Sequence, residues 1–117
     1  MPAADDARLE VFGYRQDVRA LTPDVVHVFS AWIWIPHDFA GTALHPAIGH
    51  LRLAWRYPDL TKRDCWPFVW VSAVVPRDYR IVVAGFVVVG AEGTVFLSRM
   101  WRFEEGAAPT ETKMPMS

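Results

Sequence analysis

The sequence predicts an all-β domain, or a β-rich α+β one, laid out as an antiparallel meander of about six strands that forms a small barrel or half-barrel. Three apolar runs, PFVWVSAVV, IVVAGFVVV and TVFLSRMWRF, follow one another between residues 66 and 104, and all are dense in β-branched and aromatic residues. Turn chemistry separates them: Pro76-Arg77-Asp78 fills the first gap and Gly90-Ala91-Glu92-Gly93 the second. Residues 68–75 and 81–89 are also apolar at odd and even positions alike, so both faces of each strand need cover.

The elements follow in order. Residues 1–7 are small and acidic and read as a flexible arm, and residues 8–14 (RLEVFGY) alternate as a first strand. Thr22-Pro23-Asp24 suits a helix start, with Thr as N-cap and Pro in the first helical position, and suits a turn equally well. The next stretch, VVHVFSAWIWI at 25–35, is made of residues that a helix restricts and a sheet accommodates. A strand is expected there, with a short helix at 23–34 as the alternative. Residues 36–47 hold two prolines and a glycine and read as a long loop. From 48 to 57 the period becomes two, with Leu51, Leu53, Trp55 and Tyr57 on one face and His50, Arg52, Ala54 and Arg56 on the other. A polar connection at 58–65 leads into the three apolar strands. Residues 8–105 therefore form one β-rich domain, and 106–117 a flexible tail.

Composition narrows the function. A chain of 117 residues has room for one core, and 52% hydrophobic with 14% aromatic residues is a slight apolar excess that suits a lined cavity or a subunit interface. Twelve basic and thirteen acidic residues leave a net charge of −1, which argues against nucleic acid as a partner. The apolar stretch after residue 68 is divided by Pro76-Arg77-Asp78-Tyr79-Arg80 and falls short of the roughly 18 continuous residues of a spanning helix, so no membrane partner is expected. A single cysteine, Cys65, closes no disulfide within the chain, and the start of the sequence lacks a signal-peptide pattern, so a cytoplasmic setting is expected. Only Lys62 and Arg63 near Cys65 favour a thiolate and Asp64 opposes it, so the thiol reads as inert.

All four histidines, His27, His37, His45 and His50, fall within one short stretch, none at a recognised metal-ligand spacing, so no metal or other cofactor is expected. His50 with Arg52, and His37 with Asp38, are the catalytic candidates, because imidazole exchanges protons near neutral pH and guanidinium forks onto a carboxylate. Among the tryptophans, Trp32, Trp34, Trp55, Trp70 and Trp101, together with Arg56, are the ligand-binding candidates, since indoles favour cavity mouths and interfaces. The expected function is binding of an apolar or aromatic small molecule in a Trp-lined cavity. That reading extends to a cofactor-independent isomerase, cyclase or dehydratase with histidine as acid/base. The alternative is a non-catalytic subunit that packs an apolar sheet face on a second copy, as a homodimer, or on a larger partner.

Overall fold

The computed structural model describes residues 6–10, 15–90, 94–98 and 101–111. Among them are nine strands and no helix: β1 (Asp6–Glu10), β2 (Arg15–Val18), β3 (Val26–Trp34), β4 (Gly41–Ile48), β5 (Ala54–Arg56), β6 (Phe68–Val74), β7 (Val82–Gly90), β8 (Thr94–Ser98) and β9 (Arg102–Glu105). The all-β, antiparallel expectation holds, and the helix alternative at 23–34 gives way to β3. Its β-branched and aromatic residues find hydrogen-bonding partners on both edges, which a helix cannot offer them.

β3 organises the larger sheet. On one edge it pairs with β6, from Val26↔Val74 to Trp32↔Phe68. On the other it pairs with β9 over His27 to Ser30 and with β8 at Ile33 and Trp34. The run TVFLSRMWRF is thus two strands rather than one: β8 ends at Ser98 beside the far end of β3, and β9 begins at Arg102 and pairs nearer its start. β1 extends the sheet beyond β8, and β5 extends it beyond β6. The smaller sheet has the order β2-β7-β4.

The two sheets are not closed into a barrel. They pack face to face, with Ala31, Ile33, Val69, Val95 and Leu97 of one sheet meeting Leu44 of the other, and Phe29, Val71 and Ala73 meeting Ile48, Val82 and Ala84. Nor do they form a meander: β5 and β6 are the one pair consecutive in the chain, while β4 and β7 pair in a different sheet from β3, β6 and β8. The turns break differently from a hairpin. Pro76 accepts from the Tyr79 N–H at 3.1 Å, and the chain then crosses from β6 into the other sheet. Central strands apolar on two faces must lie inside a sheet, so their connections step between layers.

Two boundaries differ from expectation. The loop expected at 36–47 contains β4, whose inner face is Leu44, Pro46 and Ile48. Pro46 is tolerated because β4 pairs only with β7, so the missing N–H falls on an edge strand. The strand expected at 48–57 is a corner followed by short β5. Gly49 at φ 55° turns the chain, Leu51 bridges back to Ile48, and Leu53 and Trp55 are exposed rather than inward. Of the turn expected at 90–93, Gly90 ends β7 and 91–93 lie outside the described residues, as do the end of the first strand at 11–14 and the end of the tail. Asp6 and Ala7 of the expected arm pair with Ser98 and Leu97, and Gly106 donates its N–H to Val26.

A third apolar cluster occupies the far face of the larger sheet: Trp32, Trp66 and Phe68 are buried, with Trp34, Trp70 and Phe96 packed against them. By contrast, β7 has only one covered face. Val82 and Ala84 are buried, while Ile81, Val83, Val87 and Val89 are 37–54% exposed.

Candidate functional site

The corner between β4 and β5 gathers the polar side chains that the sequence singled out. β4 presents His45 and Ala47 on the face opposite its core residues, since alternate side chains of a strand point to opposite sides. The left-handed Gly49 then reverses the chain and places His50, Leu51 and Arg52 beside them. After β5, Tyr57 folds back so that its ring stacks on His45, with centroids 4.6 Å apart and planes inclined by 22°. These residues wall an open cleft of about 220 Å³ with Val71 in its lining.

Arg52 holds the cleft's positive charge. Its guanidinium lies over the Trp55 ring at 4.2 Å, and Nη1 donates to the Tyr57 hydroxyl at 3.4 Å, a long and weak bond. Trp55 in turn stacks on Tyr57 at 5.8 Å. The cation is thus oriented by ring faces and keeps most of its donors free. Among the described residues, no carboxylate lines this cleft. His50 Nε2 lies 3.2 Å from the Tyr79 hydroxyl, and Nδ1 has no partner among the described residues. His45 Nδ1 lies 3.1 Å from the Pro46 carbonyl. The arrangement can hold a flat anion, with Tyr57 and His45 as its aromatic wall and Arg52 on its charged end.

Of the expected pairs, His50 and Arg52 come together, though across a turn rather than along one strand face. His37 and Asp38 do not meet. His37 instead takes Asp64: its N–H donates to Oδ1 at 2.9 Å and its Nδ1 lies 3.2 Å from both carboxylate oxygens, on an exposed loop. Asp64 has φ 53°, and its N–H donates to Ile35 at 2.7 Å, so this contact clips the connection before β6 to the end of β3. His27 is buried. Its Nε2 accepts from the Thr22 N–H at 3.3 Å and its Nδ1 donates to the Val25 carbonyl at 2.9 Å, so its partners fix the tautomer and it braces the turn before β3. Among the described residues, no three His, Cys, Asp or Glu side chains converge as metal ligands.

The tryptophans do not share one cavity. Trp32, Trp34 and Trp70 belong to the cluster on the far face of the larger sheet, and Trp101 packs edge-on against Phe29 at 5.9 Å between the two sheets. Trp55 alone of the five borders the cleft, through Arg52. Arg56 lies on the other side of Tyr57, in a second cleft. The residues that sequence reasoning missed are His45 and Tyr57, one placed in a loop and the other on a buried strand face. The signal for His45 is present in TALHPAI, where Ala43, His45 and Ala47 alternate with Leu44, Pro46 and Ile48.

No family model, no curated protein and no solved structure matches this chain.

Proposed function

We propose that the chain is a small-molecule-binding β-sandwich protein that takes a single-ring aromatic carboxylate in the cleft walled by His45 and Tyr57. The observation that carries this reading is the convergence of Arg52 and His50 on a cleft with an aromatic wall and no acidic residue. A guanidinium braced against an indole offers a carboxylate two parallel donors, and the stacked His45–Tyr57 pair gives the ligand's ring an aromatic wall to pack beside. About 220 Å³ is small for a ligand pocket and suits a benzoate-sized molecule. His50, next to the Tyr79 hydroxyl, is the acid/base candidate of the same reading, for a cofactor-independent isomerisation, cyclisation or dehydration. A cytoplasmic setting belongs to the same reading, since a chain with one cysteine has no disulfide of its own that needs an oxidising compartment.

Benzoate titration followed by the histidine ring resonances and tryptophan fluorescence tests it. Binding with a dissociation constant near 1 mM, about −4 kcal/mol, is expected. Arg52→Ala weakens it at least about tenfold, His50→Ala weakens it less, and Arg56→Ala leaves it unchanged. Benzoate binding that survives Arg52→Ala intact overturns the reading.

A second reading, as a subunit of a homodimer, is favoured by the exposed outer face of β7. Val83 and Val87 there form a groove with Arg15 of β2. Arg15 and Asp17 stand opposite Gly85 and Val83, so this apolar face is bordered by one charge of each sign, a self-complementary pattern that suits a two-fold contact. Val87→Asp converts a dimer to a monomer by light scattering under this reading. A parent protein that is monomeric at all concentrations excludes it.

A further inference from the structure

Behind Tyr57 lies a larger cleft of about 370 Å³, between the end of β5 and the connection at 58–67. This volume falls within the roughly 300–1,000 Å³ of small-molecule sites. Its flat walls are Tyr57, Trp66 and Phe68, and two cations, Arg56 and Lys62, belong to its lining. Neither cation's side chain has a hydrogen bond or ion pair among the described residues. Among the described residues Asp59 is the one acidic group in the lining, and it is already engaged. Its Oδ1 accepts from the Thr61 hydroxyl at 2.7 Å and from the Thr61 N–H at 2.9 Å, and these bonds, with a contribution from Lys62, hold its carboxyl below the usual carboxylate range. Two cations against one carboxylate leave the lining with a net positive charge.

Trp66 supplies an independent observation. The residue is 4% exposed, and its Nε1 is a buried donor with no hydrogen-bond partner. Buried donors without acceptors are rare in folded proteins and recur where a ligand supplies the acceptor. The cleft therefore offers an ammonium and a guanidinium around flat apolar walls, with the unpartnered Trp66 indole N–H buried behind one of those walls. Two cationic groups on separate side chains can each meet a different oxygen of a phosphate monoester, which presents three, whereas a carboxylate presents two.

We infer that this second cleft binds an aromatic phosphate monoester, its phosphate between Arg56 and Lys62 and its ring against Tyr57 and Phe68. The Trp66 nitrogen is out of reach of water, so it joins the phosphate only as the indole turns. The inference does not depend on the carboxylate cleft, whose lining includes neither cation nor the cysteine.

Cys65 lines this second cleft and is the chain's single cysteine, so its alkylation reports occupancy there and nowhere else. Phenyl phosphate is the probe, with iodoacetamide labelling followed by intact mass and the Trp66 indole N–H followed by NMR. Saturable protection of Cys65 with half-effect near 1 mM is expected, together with a shift of the Trp66 resonance. Arg56→Ala/Lys62→Ala weakens protection at least about tenfold, while Arg52→Ala leaves it unchanged. Absent protection at about 10 mM phenyl phosphate overturns the inference. Equal protection by phenol overturns the anion site, and equal protection by inorganic phosphate overturns the aromatic one. Loss of benzoate binding with phenyl phosphate protection intact would count against the carboxylate cleft alone.

Discussion

Tyr57 is the residue on which the corner depends, and its truncation to alanine is the most informative single change. The ring stacks on His45 at 4.6 Å and on Trp55 at 5.8 Å, and it walls both clefts. Aromatic contacts of this kind contribute about 0.5–1.5 kcal/mol each beyond area burial, and here the rings are partly solvated, so the two together come to about 1–2 kcal/mol. Tyr57→Phe keeps both stacks and removes only a 3.4 Å bond from exposed Arg52, so it should cost less than about 0.5 kcal/mol. Urea unfolding followed by tryptophan fluorescence gives both numbers from the midpoint at constant slope. Ligand titration adds a second axis: Tyr57→Ala weakens benzoate and phenyl phosphate alike, by about tenfold, or about 1.4 kcal/mol, whereas Arg52→Ala weakens benzoate alone. The reasoning fails if Tyr57→Ala unfolds within about 0.3 kcal/mol of the parent, or if Tyr57→Phe is as damaging as Tyr57→Ala.

Phe29→Ala, at a fully buried position with edge-on contacts to Phe86 at 5.7 Å and Trp101 at 5.9 Å, should destabilise by about 3–5 kcal/mol in the same urea assay. Gly90 sits at φ 102°, and a Cβ there would lie 2.9 Å from the Thr42 backbone nitrogen, so Gly90→Ala should lower stability by about 1–3 kcal/mol, measured by thermal unfolding. For Asp59 the folded-state carboxyl titrates lower than in the unfolded chain, so its contribution is present above the ordinary carboxylate range and is lost as pH falls through the folded value. Thr61→Ala should move the Asp59 carboxyl midpoint upward in an NMR titration; an unmoved midpoint would remove Thr61 as the cause.

The strands that were legible in the sequence are those whose burial is set by their own composition. VVHVFSAWIWI, FVWVSAVV and VVAGFVVVG leave the chain little choice but an ordered sheet. β4 was hidden because Pro46 denies a ladder bond, and only the topology reveals that the bond was not needed at that edge. Trp55 and Leu53 misled for the opposite reason. Their alternation is real, but β5 pairs for only three residues with β6, and Arg52 covers the indole that the core does not. His50 and Arg52 were found by a period that does not exist in the structure. What brings them together is the left-handed Gly49, and a conformational requirement of that kind is weakly encoded when the residue is flanked by ordinary side chains. Tyr57 was unreadable as a wall, since nothing local says that it folds back over His45.

The position of β3 bears on how the molecule assembles itself. Its edges are completed by Phe68–Val74 on one side and by segments of the final quarter, ending at Glu105, on the other. Nearly every native pairing of that strand therefore waits for sequence synthesised much later, and high contact order of this sort places folding in the millisecond-to-second range. On the ribosome, a nascent chain that has released Val26–Trp34 but not Arg102–Glu105 presents an open, strongly apolar edge. The interval before the last strand emerges is thus the period of greatest exposure to mispairing, and a chaperone that shields extended apolar segments has its target there.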